Sequence, residues 1–204
     1  FNDTATTEIY TLSLHDALPV FVETIRRLQA SGRSPNVLVI GDGPARPWFE
    51  QRLPGAVFTG LLSGEALATA LASGDILLNP SSTETFGNVN LEAMASGLAI
   101  VCADAANTRA LLRHRVSAMF CPPSDPATFS EAISLLTADP ALRDRLRGEA
   151  RKLSEVYNWS EILDRAIGVY GEALSVQCDR RGFAPNTTLV PIQSKQLVMS
   201  GFWR

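Results

Sequence analysis

Two glutamates, Glu84 and Glu92, flank a glycine with seven residues between them, in the stretch PSSTETFGNVNLEAMASGLAIVCA that spans residues 80–103. Ionised carboxylates accept hydrogen bonds from sugar hydroxyls, and such charge-assisted bonds are about twice as strong as neutral ones. Gly87 lies between the two acids, and because it has no Cβ the backbone there can approach a ligand closely. The stretch therefore predicts a loop that binds a polyhydroxylated, phosphorylated ligand.

The elements around this stretch place it at one edge of a sheet. Residues 75–79 form an apolar run of strand length that Pro80 ends. Asn88 suits the start of a helix as its cap, Gly97 suits its C-terminal end, and residues 98–102 form a second apolar strand. Open α/β sheets bind ligands outside the carboxyl ends of their strands, and a helix N-terminus offers free amides to a phosphate.

A glutamate near the start of a helix can also be purely structural. A capping box from Asn88 would need Glu or Gln at position 91, which is Leu91, and Glu92 misses it by one residue. A capping box from Thr85 would need Glu or Gln at position 88, which is Asn88. The residues alone leave the capping and the ligand-binding interpretations open.

Residues 81–97, SSTETFGNVNLEAMASG, closely resemble the signature of the retaining GT-B glycosyltransferases of family four, the glycosyl transferases group 1. That family carries a Glu-x7-Glu motif in its C-terminal, donor-binding domain. The resemblance extends at lower density from about residue 36 to about residue 174. It implies an α/β fold with a doubly wound parallel sheet, Rossmann-like, forming one half of a GT-B fold. In that family the first strand of the domain lies in the middle of the sheet. We expect this chain to lack that strand. Residues 8–14 are the candidate segment to take its place.

The resemblance also implies roles for individual residues. Glu84 would be the catalytic residue that addresses hydroxyls of the transferred sugar, and Glu92 would address the ribose hydroxyls of the nucleotide. The backbone around Phe86 and Gly87 would approach the sugar and the diphosphate. The remaining donor-binding residues are expected to be Gly41, Gly43, Thr85, Asn88 and Leu91.

The implied reaction is transfer of a sugar from a nucleoside diphosphate sugar to an acceptor hydroxyl with retention, without a metal or other cofactor. The acceptor, a sugar or lipid, would be bound mainly by an N-terminal domain. The resemblance implies a cytoplasmic enzyme and leaves open a peripheral association with the inner face of the membrane. The alternatives are a non-catalytic module that binds a nucleotide sugar or a partner, and another GT-B enzyme such as an epimerase. A phosphorylase would need a pyridoxal-binding lysine, and Lys152 and Lys195 are badly placed for that role.

Composition narrows the classes of protein. The 204 residues carry a net charge of −3, which argues against a nucleic-acid-binding surface. Three cysteines, Cys102, Cys121 and Cys178, stand in no metal-binding spacing and fit a reducing compartment. No apolar run reaches the ~20 residues of a membrane span.

The chain divides into three parts. Residues 2–19 closely resemble the translation of a common sequencing adapter, so we expect residues 1–19 to be an artefact outside the fold. Residues 20–174 would form the donor-binding domain, and residues 175–204 an irregular tail. The first twenty residues lack the Arg and Lys that bind the donor diphosphate in the family. We therefore expect this fragment, without those residues and the acceptor domain, to be inactive alone.

A second strand–turn–helix pattern lies upstream. Residues 36–40 predict a strand, which leads into Gly41-Asp42-Gly43-Pro44 and a helix over about residues 45–53. A dinucleotide fingerprint would need a third glycine at position 46, which is Arg46. In the resembled family a Gly-x-Gly-Pro turn at this point lies near the donor. A tight turn without a ligand is the alternative.

The remaining polar and apolar residues of interest are interpreted as having structural roles. Arg109 and Arg113 could contact a phosphate, but we favour a solvated helix face for both. His114 is interpreted as a surface residue. Cys121 is not expected to act as a nucleophile. Residues 20–31 predict an amphipathic helix. Two Asp-Pro pairs predict helix starts at positions 125 and 139. Their expected core residues are Phe129, Ile133, Leu135 and Leu136 in the first helix and Leu142, Leu146, Leu153 and Val156 along the second.

Overall fold

The computed structural model describes residues 3–83, 87–158 and 161–171. The chain alternates helices and short strands, as an α/β fold requires. The helices are α1 (Asp3–Ala30), α2 (Arg46–Arg52), α3 (Gly64–Ala72), α4 (Asn88–Ser96), α5 (Ala106–Leu111), α6 (Pro126–Ala138) and α7 (Pro140–Ser154). The strands are β1 (Leu38–Val39), β2 (Val57–Phe58), β3 (Ile76–Asn79), β4 (Ala99–Ala103) and β5 (Met119–Cys121).

Every described strand pair is parallel. β1 pairs with β2, and β3, β4 and β5 form a second sheet in that order. Each parallel connection within these sheets contains a helix, as parallel neighbours need. No ladder joins the two sheets within the described ranges. The expectation that a further strand belongs mid-sheet stays a prediction.

The central strand β4 shows why helices must cover both faces of its sheet. All five of its residues are buried. Alternate side chains enter different cores: Ala99, Val101 and Ala103 join one cluster, while Ile100 and Cys102 join the other. Since successive side chains on a strand point to opposite faces, the two clusters lie on opposite faces of the sheet. The predicted doubly wound parallel architecture is confirmed.

The two Asp-Pro pairs start helices α6 and α7 as predicted. The Asp125 carboxylate accepts hydrogen bonds from the backbone N–H groups of Ala127 and Thr128, and Asp139 accepts from Leu142. These are N-caps that satisfy free amides of the first turn. Two expected core residues are wrong, however, because Leu135 is 41% exposed and Val156 is 65% exposed. Leu135 lies beside the fully buried Leu136 but faces solvent, and Val156 lies beyond the end of α7 at Ser154.

The first helix overturns one expectation. Residues 8–14 were the candidate for a strand, but they lie inside α1, which continues to Ala30. Seven alternating residues cannot form a strand without a neighbour to pair with, whereas a helix adds one hydrogen bond for each residue it extends. The predicted helix over residues 20–31 is the part of α1 that packs against α6, and it buries Ile25 and Leu28.

A second unit begins at Asn158, and in it the structure describes the helix over residues 161–171. Its large apolar side chains are exposed, including Leu163, Ile167, Val169 and Tyr170. In the described part of the chain, no helix combines the length and the apolarity needed to cross a bilayer.

Candidate functional site

The loop after β3 and the start of α4 lie at the carboxyl edge of the three-stranded sheet. β3 ends at Asn79, and α4 begins at Asn88 with Gly87 as its N-cap. The expected cap was Asn88, so the helix begins one residue earlier than predicted. Gly87 has φ +81° and ψ +44°, a left-handed conformation that glycine adopts without strain.

Within the described residues, no side-chain hydrogen bond caps the first turn of α4. The Gly87 carbonyl accepts from the N–H groups of Asn90 and Leu91, at 2.9 and 3.2 Å, and so closes the first turn. The amides that precede these two point out of the helix end, where the dipole favours an anion. This geometry suits a phosphate, as the sequence indicated.

Glu92 lies on the solvent side of α4, about 6 Å along the axis from the first helical residue. In the part of the chain that the structure describes, its carboxylate has no hydrogen bond and no ion pair. Although the side chain is open to solvent, the surrounding protein desolvates the carboxylate enough to raise the pKa of Glu92 above its usual value. An unpaired carboxylate with a raised pKa is the kind of group found in binding sites.

Three predicted site residues, Glu84, Thr85 and Phe86, lie outside the described residues. The shared cleft expected for Glu84 and Glu92 therefore stays a prediction. The described residues of the stretch, Gly87, Asn88, Leu91 and Glu92, come together at the start of α4. Leu91 turns its side chain partly inward against the core cluster that holds Met94.

The predicted glycines Gly41 and Gly43 lie together at the end of β1. Gly41 has φ +134° and donates its N–H to the Gly60 carbonyl at 2.9 Å. Among the described residues other than the chain neighbours, no atom lies within 4 Å of the position that a Cβ would take at Gly41 or Gly43.

The sequence interpretation missed a buried polar pair beneath the loop. Asn79 Nδ2 donates a hydrogen bond to Asn90 Oδ1 at 3.0 Å, and Asn79 Oδ1 accepts from the backbone N–H of Ser81 at 3.1 Å. Asn79 is 6% exposed and Asn90 is fully buried. Asn79 is a polar residue at the end of an apolar strand, and this feature could have marked it in the sequence. Its partner Asn90 lies eleven residues later, and the sequence spacing does not indicate that the two side chains meet.

A neighbouring cavity of about 480 Å³ lies at the end of β4 and is lined by Asp104, Arg109, Arg113 and His114, among others. Asp104 and Arg109 form two parallel hydrogen bonds of 2.6 and 2.8 Å. Arg113 donates to two backbone carbonyls, and His114 Nδ1 accepts from the Phe120 N–H. The polar groups of this cavity largely satisfy one another, in agreement with the structural interpretation of the sequence.

Cys121 is buried at the end of β5. Desolvation raises the pKa of its thiol to about 12, so the thiol keeps its proton at neutral pH. A protonated thiol is a poor nucleophile. This agrees with the interpretation that Cys121 takes no part in chemistry.

A parallel α/β sheet covered by helices on both faces defines a Rossmann-like class of domain. The family model of glycosyl transferases group 1 matches residues 9–139, more than half of the chain. The chain belongs to this family.

Relatives and solved structures agree with this assignment. The chain is 36% identical to a sulfoquinovosyl transferase of Arabidopsis thaliana over 128 residues, 60% of this chain and 25% of the relative. It is 34% identical to a GDP-mannose-dependent alpha-mannosyltransferase of Mycolicibacterium smegmatis over 139 residues, 68% of this chain and 36% of the relative. It thus spans a quarter to about a third of these relatives.

The fold is similar to that of HepE from Anabaena, solved in complex with UDP and glucose. The TM-score is 0.64 at 18% sequence identity, over 78% of this chain and 45% of that protein. Since the identity is low, this likeness bears on the fold. It agrees with the assignment of the chain to one half of a GT-B fold.

Proposed function

We propose that this chain binds the nucleoside diphosphate part of a sugar nucleotide at the carboxyl edge of β3. The observation that carries the proposal is Glu92, an unpaired carboxylate with a raised pKa beside an uncapped helix start. The helix amides would hold a phosphate oxygen while Glu92 accepts hydrogen bonds from the ribose hydroxyls. Relatives support this ligand class, since one is named as GDP-mannose-dependent and a structural neighbour was solved with UDP and glucose.

For the whole protein we propose transfer of the sugar to an acceptor hydroxyl with retention of anomeric configuration. The bond between the anomeric carbon and the diphosphate oxygen breaks, and the acceptor oxygen bonds to the anomeric carbon on the same face. The acceptor proton passes to the diphosphate oxygen that the anomeric carbon leaves, and the nucleoside diphosphate is released. Positive helix ends and amides that face the leaving diphosphate would lower the barrier electrostatically. Glu84 would contact the hydroxyls of the transferred sugar, and no cofactor besides the sugar nucleotide is required.

The first test is the variant Glu92→Gln, measured by isothermal titration of the chain with UDP-glucose, GDP-mannose and ADP-glucose. We expect the wild-type chain to bind at least one of these ligands. Loss of a charged hydrogen bond should weaken that binding by about 1.5–3 kcal/mol, or roughly tenfold to a hundredfold. Glutamine keeps the shape but offers a weaker, neutral acceptor.

Glu131→Gln is the matched control, since Glu131 is an exposed glutamate in the middle of α6. It should leave the affinity unchanged. Equal affinities of wild type and Glu92→Gln would remove Glu92 from the binding site, and failure of all three ligands to bind the wild-type chain would contradict the proposed function.

A further inference from the structure

Two buried asparagines connect three segments around the proposed site. The side chain of Asn79, the last residue of β3, donates to Asn90 in the first turn of α4. The same side chain accepts from the backbone N–H of Ser81, at the beginning of the loop. One polar pair thus joins the end of the strand, the entrance of the loop and the start of the helix.

The pair is costly for a core position. Buried amides lose their hydration and must recover it through hydrogen bonds. Asn90 recovers only part, because its Nδ2 is buried and has no hydrogen-bond partner in the described part of the chain. Two apolar residues would fill the space without this loss. The pair therefore contributes something besides packing. A hydrogen bond fixes the relative orientation of the two groups that it joins.

The position of Asn90 on α4 couples the pair to Glu92. The two residues are two positions apart, which places them about 200° apart around the helix axis. Asn90 consequently faces the core while Glu92 faces solvent, as their burial shows. Because side chains reach about 5–6 Å from the axis, a helix rotation of roughly 10° would displace the Glu92 carboxylate by about 1 Å.

We infer that Asn79 and Asn90 are positioning residues for the sugar nucleotide. Their hydrogen bonds set the rotation of α4, and hence the place of Glu92, relative to the loop that begins at Ser81. The inference rests on the proposed function of this site. A misplacement of about 1 Å in a binding constellation is enough to cost up to a hundredfold in activity.

The decisive variant is the double substitution Asn79→Leu with Asn90→Leu. Leucine keeps the branching of the asparagine side chain, and the double variant leaves neither partner of the Asn79–Asn90 hydrogen bond unpaired, so of the described groups only the Ser81 N–H loses an acceptor and the cost in stability should be small. We expect the thermal midpoint, followed by circular dichroism, to change by less than about 5 °C. Titration should nevertheless show about tenfold weaker binding of the sugar nucleotide that wild type prefers.

The sugar provides a second readout. A sugar nucleotide contacts both the loop and α4, so correct registration of these two elements should matter more for it than for the free nucleoside diphosphate. We expect the affinity ratio of UDP-glucose over UDP, or of the corresponding GDP or ADP pair, to fall towards one in the double variant. A merely structural role would leave this ratio unchanged. Met94→Leu, a volume-conserving change in the core under the same helix, is the control and should keep the ratio.

A pair of single variants keeps the test valid if the double variant does not fold. Asn90→Thr and Asn90→Val remove the same volume, but threonine retains an oxygen that can accept from Asn79 Nδ2. We expect Asn90→Thr to bind the sugar nucleotide several-fold more tightly than Asn90→Val. Unchanged affinity and ratio in folded variants would overturn the positioning role while Glu92→Gln still reports on the proposed function. Absence of any nucleotide binding by wild type would overturn both.

Discussion

Two strand–turn–helix units of this chain follow the same plan but are held in different ways. In the first, β1 leads through Gly41–Gly43 into α2, which has no fully buried residue. Arg46 of α2 pairs with Asp42 and Glu50 on the surface. The charged groups Asp42, Arg46 and Glu50 of the first unit thus pair with one another.

The second unit, β3 to α4, has the opposite character. α4 buries Asn90, Ala93 and Met94 and packs against α7, while Glu92 remains unpaired. A rigidly held helix with one unused carboxylate is what a binding site requires, since the site must be in place before the ligand arrives. The comparison teaches that a glycine turn at the end of a strand marks a place where a ligand can approach. Between two such turns, the stronger candidate for a binding site is the one whose following helix is anchored in the core and carries a polar group that no described residue pairs with.

The largest expected effect comes from breaking the anchor of the second unit. Met94→Ala leaves a cavity beneath α4, where Met94 is fully buried. We expect the free energy of unfolding to fall by about 2–5 kcal/mol, measured by urea denaturation. Gln51→Ala on the exposed α2 is the comparison and should change it by less than about 0.5 kcal/mol. Similar losses for the two would contradict the difference in anchoring.

The next effect concerns the pH dependence of binding. In the proposed complex, ribose hydroxyls would donate to the ionised form of Glu92, so the ligand would lower the pKa of this carboxylate. Affinity should be complete above the raised pKa of the free chain and decline as the pH falls through that pKa. Titrations of wild type and Glu92→Gln from neutral to acidic pH check this. A decline of equal size in both would assign the pH dependence to another group.

A smaller effect is expected at the other end of α4. Arg147 of α7 donates from Nε to the Gly97 carbonyl at 2.7 Å, and Gly97 ends the helix in the left-handed conformation. Arg147→Ala removes a partner of this terminal carbonyl, which should cost about 1 kcal/mol of unfolding free energy. Arg145→Ala, an exposed change on the same helix, should cost less. The prediction fails if the two variants unfold at the same urea concentration.

The smallest effect is expected in the first unit. Arg46→Ala breaks two ion pairs, but both lie at the surface, where such pairs contribute little. The urea midpoint should stay close to that of wild type, and high salt should remove what difference remains. A large loss would show that the charged groups of α2 anchor it after all.

Much of the fold could be predicted because its signals are local. Asn79 and Pro80 end β3, Gly97 ends α4, and the aspartates before Pro126 and Pro140 cap their helices, each as the sequence indicated. Such signals depend on residues within one helical turn. β1 and β3 are shorter than their predicted runs and β4 is shifted by one residue, since pairing with a neighbour decides where a strand begins and ends.

The site could be predicted in part. The sequence located the helix start and the carboxylate Glu92, and the family motif suggested what they bind. It did not indicate the hydrogen bond between Asn79 and Asn90, because these residues meet only when α4 folds back on β3. Nor did it indicate the raised pKa of Glu92, because desolvation depends on everything packed around the carboxylate.

The sequence by itself determined the alternation of strands and helices, the family, and the carboxylate offered at the edge of the sheet. These follow from periodicity, turn chemistry and a motif, which neighbouring residues carry. Tertiary structure decided that residues 8–14 continue a helix, that Leu135 faces solvent, and that Asn79 and Asn90 form a buried hydrogen bond. Each of these outcomes depends on partners distant in the chain, and a partner's position exists only after folding.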